Sequence, residues 1–289
     1  MKQCTKCRNC YEAITWVCPA CGVAPPIIDG RPAFAPESAI ATSGFNPEVF
    51  SELASLEAGN FWFEARNQLL VWALRRYFPR MLSFLEIGCG TGFVLDGVSK
   101  AFPEARMAGS EILSAGLPFA AARLGQAELL QMDARRIPYQ DEFEVIGAFD
   151  VLEHIEEDEG VLAEIHRALT AGGGAIFTVP QHQWLWSVTD EHACHVRRYR
   201  VGELRRKVER AGFRVELDTS FVSLLLPMMV ASRLSRKDAL ADDPNAELRL
   251  SPILNRMLLA AMAVERGLIN AGMRFPIGGS GLLVARKIS

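Results

Sequence analysis

The chain has 289 residues, 49% hydrophobic and 22% charged, with a formal net charge of −3 at pH 7. That length suits one large domain or two ordinary ones, and the near-neutral balance gives no global pull toward nucleic acid or anionic membrane. Residues 221–232, the longest uncharged apolar run, fall short of the ~20 a spanning helix requires, and cysteines stand where an export signal would need an apolar run, so the expected location is cytoplasmic.

The first 21 residues carry five cysteines. Cys4-x2-Cys7 and Cys18-x2-Cys21 form two knuckles separated by ten residues, a spacing that can present four thiolates tetrahedrally to Zn²⁺ in a closed, structural site. Cys7-x2-Cys10 is an alternative first knuckle; the longer hairpin favours Cys4 and Cys7. Reduced cysteines without metal are the bland alternative. Residues 1–35 are too few to fold on a core of their own, so metal would hold the module together. Residues 36–81 follow as linker and N-terminal helices. Asn46–Pro47 has the form of a helix start, and "FWFEARNQLLVWALRRYF" has helical spacing, with Trp62, Leu69, Leu70, Ala73 and Tyr77 near one face.

From Leu82 to the end the pattern alternates. "LSFLEIG", "ARMAGSEI", "AELLQMD", "FEVIGAFDVLEH" and "GAIFTVP" read as strands. Between them, "GFVLDGVSKAF", "SAGLPFAAARLG" and "EEDEGVLAEIHRALTAGG" read as helices, the last with a glycine stop. "VGELRRKVERAGF" is a further helix, "RVELDTSF" a sixth strand and "GSGLLVARKI" a seventh. Such alternation predicts βαβ units, a parallel sheet, and ligands at the carboxyl ends of the strands. Residues 221–275 interrupt it with apolar, mostly helical sequence; Leu254, Met257 or Leu258, Ala261, Val264 and Leu268 share a face. A lid over an apolar pocket is the first expectation for this insertion, with a homodimer interface or peripheral membrane contact as alternatives.

The chemistry begins at "LEIGCGTGFVL", where Glu86, Gly88, Gly90 and Gly92 occupy alternate positions. A strand ending in glycines and turning into a helix brings a ligand close to bare backbone. The third glycine arrives one residue earlier than in the dinucleotide fingerprint, and Glu86 at the lip would repel a pyrophosphate while attracting an ammonium group. A positively charged, phosphate-free nucleoside therefore fits better than NAD. Three further acids end successive strands: Glu111, placed to bind ribose hydroxyls, Asp133, placed to meet an adenine amino group, and Asp150, beside the reacting centre. Singly, each reads as a solvated acid or helix cap; the set argues for a site.

Residues 82–180 resemble a class I S-adenosylmethionine-dependent methyltransferase, of the type whose first motif reads E-x-G-C-G-x-G, and the likeness extends over residues 45–289. It implies a Rossmann-like α/β fold with seven strands, the last antiparallel, and helices on both faces. It also implies contacts to S-adenosylmethionine from Glu86, Gly88, Cys89, Gly90 and Gly92, from Glu111 and Ile112 at the ribose, from Asp133 and Ala134 near the adenine, and from Asp150, Val151 and Leu152 along the cofactor. "FWFEARN" resembles the helix before the first strand in one branch of these enzymes, where Arg66 would approach the cofactor carboxylate. Glu111 stands where many members carry aspartate. Residues 1–35 resemble a zinc ribbon of the kind found on some methyltransferases.

On the acceptor side, "DVLEH" lacks the Asn/Asp-Pro-Pro-aromatic run of enzymes that methylate nucleobase amines. His154 either faces the acceptor or holds the helix entry. "SVTDEHACHVRRYR" brings Asp190, His192, His195, Arg197 and Arg198 to the loop after the fifth strand. There His195 can act as a general base with Asp190 holding its ring, and Asp190, His192 and His195 are a weaker metal candidate. "RRYRVGELRRKVER" carries seven basic residues against two acids, which is either a solvated helix face or a hint of an acidic acceptor. The expected activity is O-methylation of a small molecule or a glycan- or lipid-linked intermediate. The rivals are an RNA methyltransferase docking through the ribbon and a silent, cofactor-binding adaptor.

Overall fold

The computed structural model describes residues 1–40, 49–235 and 248–288; the expected helix start at Asn46–Pro47 lies outside them. Two short ladders open the chain: β1 (Lys2–Gln3) pairs with β2 (Cys10–Tyr11), and β3 (Ile27–Ile28) with β4 (Arg31–Pro32). Helices α1 (Val49–Leu56) and α2 (Phe61–Tyr77) follow. Asn60 caps α2, its side chain accepting from the Trp62 amide at 2.9 Å.

The alternating segment then runs β5 (Ser83–Ile87), α3 (Phe93–Ala101), β6 (Arg106–Glu111), α4 (Leu117–Arg123), β7 (Glu128–Gln131), β8 (Phe143–Phe149), α5 (Asp158–Ala168) and β9 (Leu169–Pro180). Beyond it lie α6 (Val188–His192), α7 (Glu203–Arg210), β10 (Phe213–Phe221), α8 (Leu226–Ser235), α9 (Pro252–Asn270) and β11 (Ser280–Lys287). Seven strands make one sheet in the order β10-β11-β9-β8-β5-β6-β7. Strands β5 to β9 pair in parallel, and β11 slots antiparallel between β9 and β10.

Neighbouring side chains along each strand enter opposite layers. Phe84, Val145 and Leu282 pack with α2, α3 and α4, whereas Leu85, Ile146 and Leu283 pack with α5 and α7. Both faces of the sheet are thus covered, which is why its strands read as continuous apolar runs.

Two expectations are corrected. The helix expected to reach the glycines at 172–173 stops at Ala168, because Leu169 turns extended (φ −77°, ψ 141°) and residues 169–174 join β9 beside β8. In the insertion, α9 buries Leu258, Met262, Glu265 and Ile269, while Leu254, Met257 and Val264 stay exposed. The helix is apolar on most sides, so periodicity could not select the face. That buried face lies against α2, which α9 also holds by a 2.8 Å hydrogen bond from the Phe61 amide to Asn255. The cysteine module, for its part, docks on the sheet. The Phe34 amide bonds the Gln131 carbonyl of edge strand β7 at 2.8 Å, and Trp16 packs edge-on against Phe34 and Tyr139. The Gln131 side chain joins Ala35 through both its amide and its carbonyl. Covering β7 in this way protects an edge that would otherwise be open to pairing. No helix among the described residues is long and apolar enough to cross a membrane.

Candidate active site

The chain leaves β5 through a turn in which Gly88, Gly90 and Gly92 all take positive φ. A side chain at Gly88 would place its Cβ 2.5 Å from Val151 Cγ2, and one at Gly92 2.8 Å from the Ala120 Cα, so both are glycine for close approach. Gly90 differs: its Cβ would meet only the Phe50 ring, at 3.7 Å. The open face of the loop is therefore at Gly90, with Phe50 of α1 above it. Sequence reading missed Phe50, whose apolar helix carried no motif. Cys89 is buried, its thiol pushed well up by burial and by Glu86 and Glu111, which makes it an inert turn residue rather than a nucleophile.

Glu86 is buried, and its Oε2 has no hydrogen-bond partner. Burial pushes its carboxyl pKa well above the usual range, against the pull of Arg66. Glu111 accepts from the Gly90 and Ile112 amides, each at 2.9 Å, and from the Leu113 amide at 3.3 Å. It thereby ties the ends of β5 and β6 together. Burial raises its pKa, while those amides oppose the shift. Asp133 is clamped by the Arg135 guanidinium, with 3.0 and 2.8 Å contacts to Oδ2, and Ala134 beside it is buried. Asp150 has φ of 56°, pairs with Arg66 and accepts from Thr178 Oγ1 at 3.1 Å. Arg66 thus pairs with Asp150 and also exerts the main opposing charge on Glu86. Val151 lines the glycine turn. The Leu152 side chain is fully buried in the α5 layer of the core.

A second cluster lies just beyond Asp150. The Val196 amide bonds the Glu153 carbonyl at 2.8 Å, pinning the 193–199 loop to the turn after β8. His195 Nδ1 lies 2.9 Å from Asp190 Oδ1, and Arg198 Nε donates to the same oxygen at 2.6 Å. Burial alone would raise Asp190, but His195 and Arg198 hold its carboxyl down to about 2. His195 Nε2 points toward Glu153 Oε1 at 3.9 Å, and the His154 ring stands edge-on to the His195 ring at 4.7 Å. Desolvation and the neighbouring His195 pull His154 below the usual histidine value, although the residue keeps an exposed surface. Glu153 is fully buried with both carboxylate oxygens unpartnered. The motif "DVLEH" held this acid in plain view between Leu152 and His154, both singled out.

His192 is exposed and outside this cluster, so Asp190, His192 and His195, the weaker metal candidate of the sequence, do not assemble. In the basic segment, Lys207 and Arg197 pair with Asp158, and Arg210 with Glu159. These charges fasten α7 to α5 and read as a structural face.

In the N-terminal module the sulfurs of Cys4, Cys7, Cys18 and Cys21 lie within 4.8 Å of one another, with the Cys4–Cys21 and Cys7–Cys18 pairs at 3.6 Å. Four thiolates at ~2.3 Å from a tetrahedral Zn²⁺ would sit about 3.8 Å apart, so the donor set fits that ion. Cys10 lies outside the set, its sulfur accepting from Gln3 Nε2 at 3.4 Å.

The sheet order, the inserted antiparallel strand and the glycine turn define a Rossmann-like class I methyltransferase fold. Residues 85–177 match the family model Methyltransf_11, a methyltransferase domain. Among curated proteins, 105 residues are 30% identical to polyketide synthase ThaQ of Burkholderia thailandensis, over 34% of this chain and 5% of that one. A further 167 residues are 25% identical to a protein named "Probable S-adenosylmethionine-dependent methyltransferase" of Mycolicibacterium smegmatis, over 57% of this chain and 63% of that one. The chain thus spans less than two thirds of either relative. Among solved structures, the [4+2]-cyclase SpnF superposes with a TM-score of 0.53 at 19% identity, covering 78% of this chain and 83% of that one. That likeness concerns the fold, and the cyclase's name shows that the fold serves more than one chemistry.

Proposed function

We propose that this chain is an S-adenosylmethionine-dependent methyltransferase that acts on a hydroxyl of a small molecule or of a glycan- or lipid-linked intermediate. The observation that carries the reading is Glu86: a buried carboxylate with an unpartnered oxygen at the lip of a glycine turn. Such a group is costly unless a cation meets it, and the ammonium of the methionine moiety would do so. Bound there, S-adenosylmethionine supplies an electrophilic methyl group on a sulfonium. The protein's part is to hold and orient. Gly90 lets the ligand lie against backbone, Glu111 has lone pairs left for the ribose diol with Ile112 beside it, Arg66 would meet the methionine carboxylate, and Asp133 and Ala134 flank the adenine end. Asp150 and Val151 lead on to the acceptor, which would meet His154, His195 and Glu153. The Asp190 contact fixes the His195 ring with Nε2 free, the orientation a general base requires.

In the N-terminal module we assign a structural Zn²⁺ to Cys4, Cys7, Cys18 and Cys21, in keeping with a reducing, cytoplasmic setting. The test is calorimetry with S-adenosylmethionine and with NAD, followed by an acceptor panel with methyl-labelled cofactor. Binding of the first ligand alone, with label passing to an oxygen, is the expected result. NAD binding, or label passing to a nucleobase in RNA, would reject it.

A further inference from the structure

We propose that Glu153, His154 and His195 form a second cation site, separate from the four thiolates, for a divalent ion that takes mixed nitrogen and oxygen ligands. The role given to that ion below rests on the methyltransferase reading; the site itself does not.

Three independent features converge. One is the donor set: two imidazoles and one carboxylate offer ligand atoms that all lie within 4.8 Å of one another. Three protein ligands with open positions left for water or substrate is the pattern of catalytic rather than structural metal sites. Ligands ~2.0–2.2 Å from one ion stand about 3–3.5 Å apart; the 3.9 Å from His195 Nε2 to Glu153 Oε1 is already close to that.

Next is Glu153 itself. Its side chain is fully buried, and neither oxygen has a partner, although buried polar groups are nearly always satisfied. Arg198 and Arg66 act on it electrostatically, and both are paired elsewhere, with Asp190 and Asp150. A bound cation would supply what the protein withholds.

The last is the support behind His195. Asp190 takes the Nδ1 hydrogen at 2.9 Å, so the Nε2 lone pair faces Glu153. A carboxylate behind a histidine is the usual outer support of a metal ligand, fixing both tautomer and ring direction. Arg198 and the Ser187 amide hold Asp190 in turn. His154 is exposed and gives an ion its way in.

The ion would sit just past Asp150, on the acceptor side. An acceptor hydroxyl bound to it would ionise more readily. Its O–H bond would break with the proton leaving to water, and the oxygen pair would form the new O–CH₃ bond as the S–CH₃ bond broke with its pair kept on sulfur. With the ion bound, His195 is a ligand rather than the base.

The test uses full-length protein carrying one equivalent of zinc on its thiolates, titrated with Mn²⁺, a hard ion that thiolates bind poorly, with free Mn²⁺ read by electron paramagnetic resonance. Wild type should bind one Mn²⁺ per chain. Glu153→Gln and His154→Ala should each weaken this at least tenfold, and His192→Ala should leave it unchanged. His154 is exposed, so its variant keeps the fold even if the buried Glu153 variant does not; thermal melts check both. No saturable Mn²⁺ uptake, or uptake equal in wild type and His154→Ala, would overturn the site. S-adenosylmethionine calorimetry on the same samples separates the two claims: cofactor binding without Mn²⁺ uptake rejects the ion alone, and Mn²⁺ uptake without cofactor binding rejects the methyltransferase reading alone.

Discussion

Glu86→Gln should separate ligand binding from stability. The native carboxyl is buried with Oε2 unpartnered, and its pKa is raised well above the usual range by burial. In the unfolded chain the group ionises near pH 4.3. Below that pH both states hold the proton and the group costs nothing. As pH rises above it, the unfolded chain releases its proton while the native state retains it, so the native protein loses stability until its own raised pKa is passed. Glutamine has the same shape and no proton to lose, so Glu86→Gln should melt higher than wild type at pH 7–8, the difference vanishing toward pH 4. The same change removes a charge-assisted hydrogen bond to the cofactor ammonium, about 1.5–3 kcal/mol, or roughly 10- to 150-fold in dissociation constant. Differential scanning calorimetry across pH reads the first effect and isothermal titration with S-adenosylmethionine the second. A variant that melts lower than wild type at neutral pH, or binds cofactor equally well, refutes the assignment of Glu86 as an unpaired acid kept for a cation.

The glycine turn predicts a contrast. Gly90→Val, with only Phe50 near its Cβ, should pay about 1–3 kcal/mol for its left-handed backbone yet still fold while losing S-adenosylmethionine binding, whereas Gly92→Val adds to the same strain a Cβ 2.8 Å from the Ala120 backbone and should fail to accumulate as folded protein; soluble yield and circular dichroism decide between them. Gln131→Ala strips partners from the Ala35 amide, the Ala35 carbonyl and the Ile112 carbonyl, all bonded by that one buried side chain. At about 1–3 kcal/mol per orphaned group, and allowing for relaxation, a loss of about 2–4 kcal/mol in urea denaturation is expected; under 1 kcal/mol would contradict it. Purified protein should carry about one zinc on the thiolates. Chelation should free Trp16 from Phe34 and Tyr139, red-shifting tryptophan emission, while cofactor binding persists; abolished binding would show that the module does more than brace the sheet edge.

The strand–helix alternation, the glycine turn and its acids, and the two thiol knuckles were all legible along the chain. Each is a local pattern in which neighbouring residues share one requirement: a period of two, a bare backbone, a tetrahedral spacing. What escaped were choices between nearly equivalent local options. Hairpin length already favoured Cys4 over Cys10, and the fold agrees, with the Cys4 sulfur beside Cys21 and the Cys10 sulfur beside Gln3. Helix α9 offered apolar residues on several faces, and packing against α2 selected the one through Leu258 and Met262. The glycines after Ala168 read as a helix stop, yet β8 drew Leu169–Gly174 into the sheet. Glu153 shows the same limit most clearly. An acid inside "DVLEH" is unremarkable by spacing, and it acquires meaning only when a loop some forty residues later brings His195 to 3.9 Å and no side chain satisfies its oxygens. Local order follows from near neighbours along the chain, whereas burial, pairing and the lack of a partner are properties of what the fold brings together from far apart.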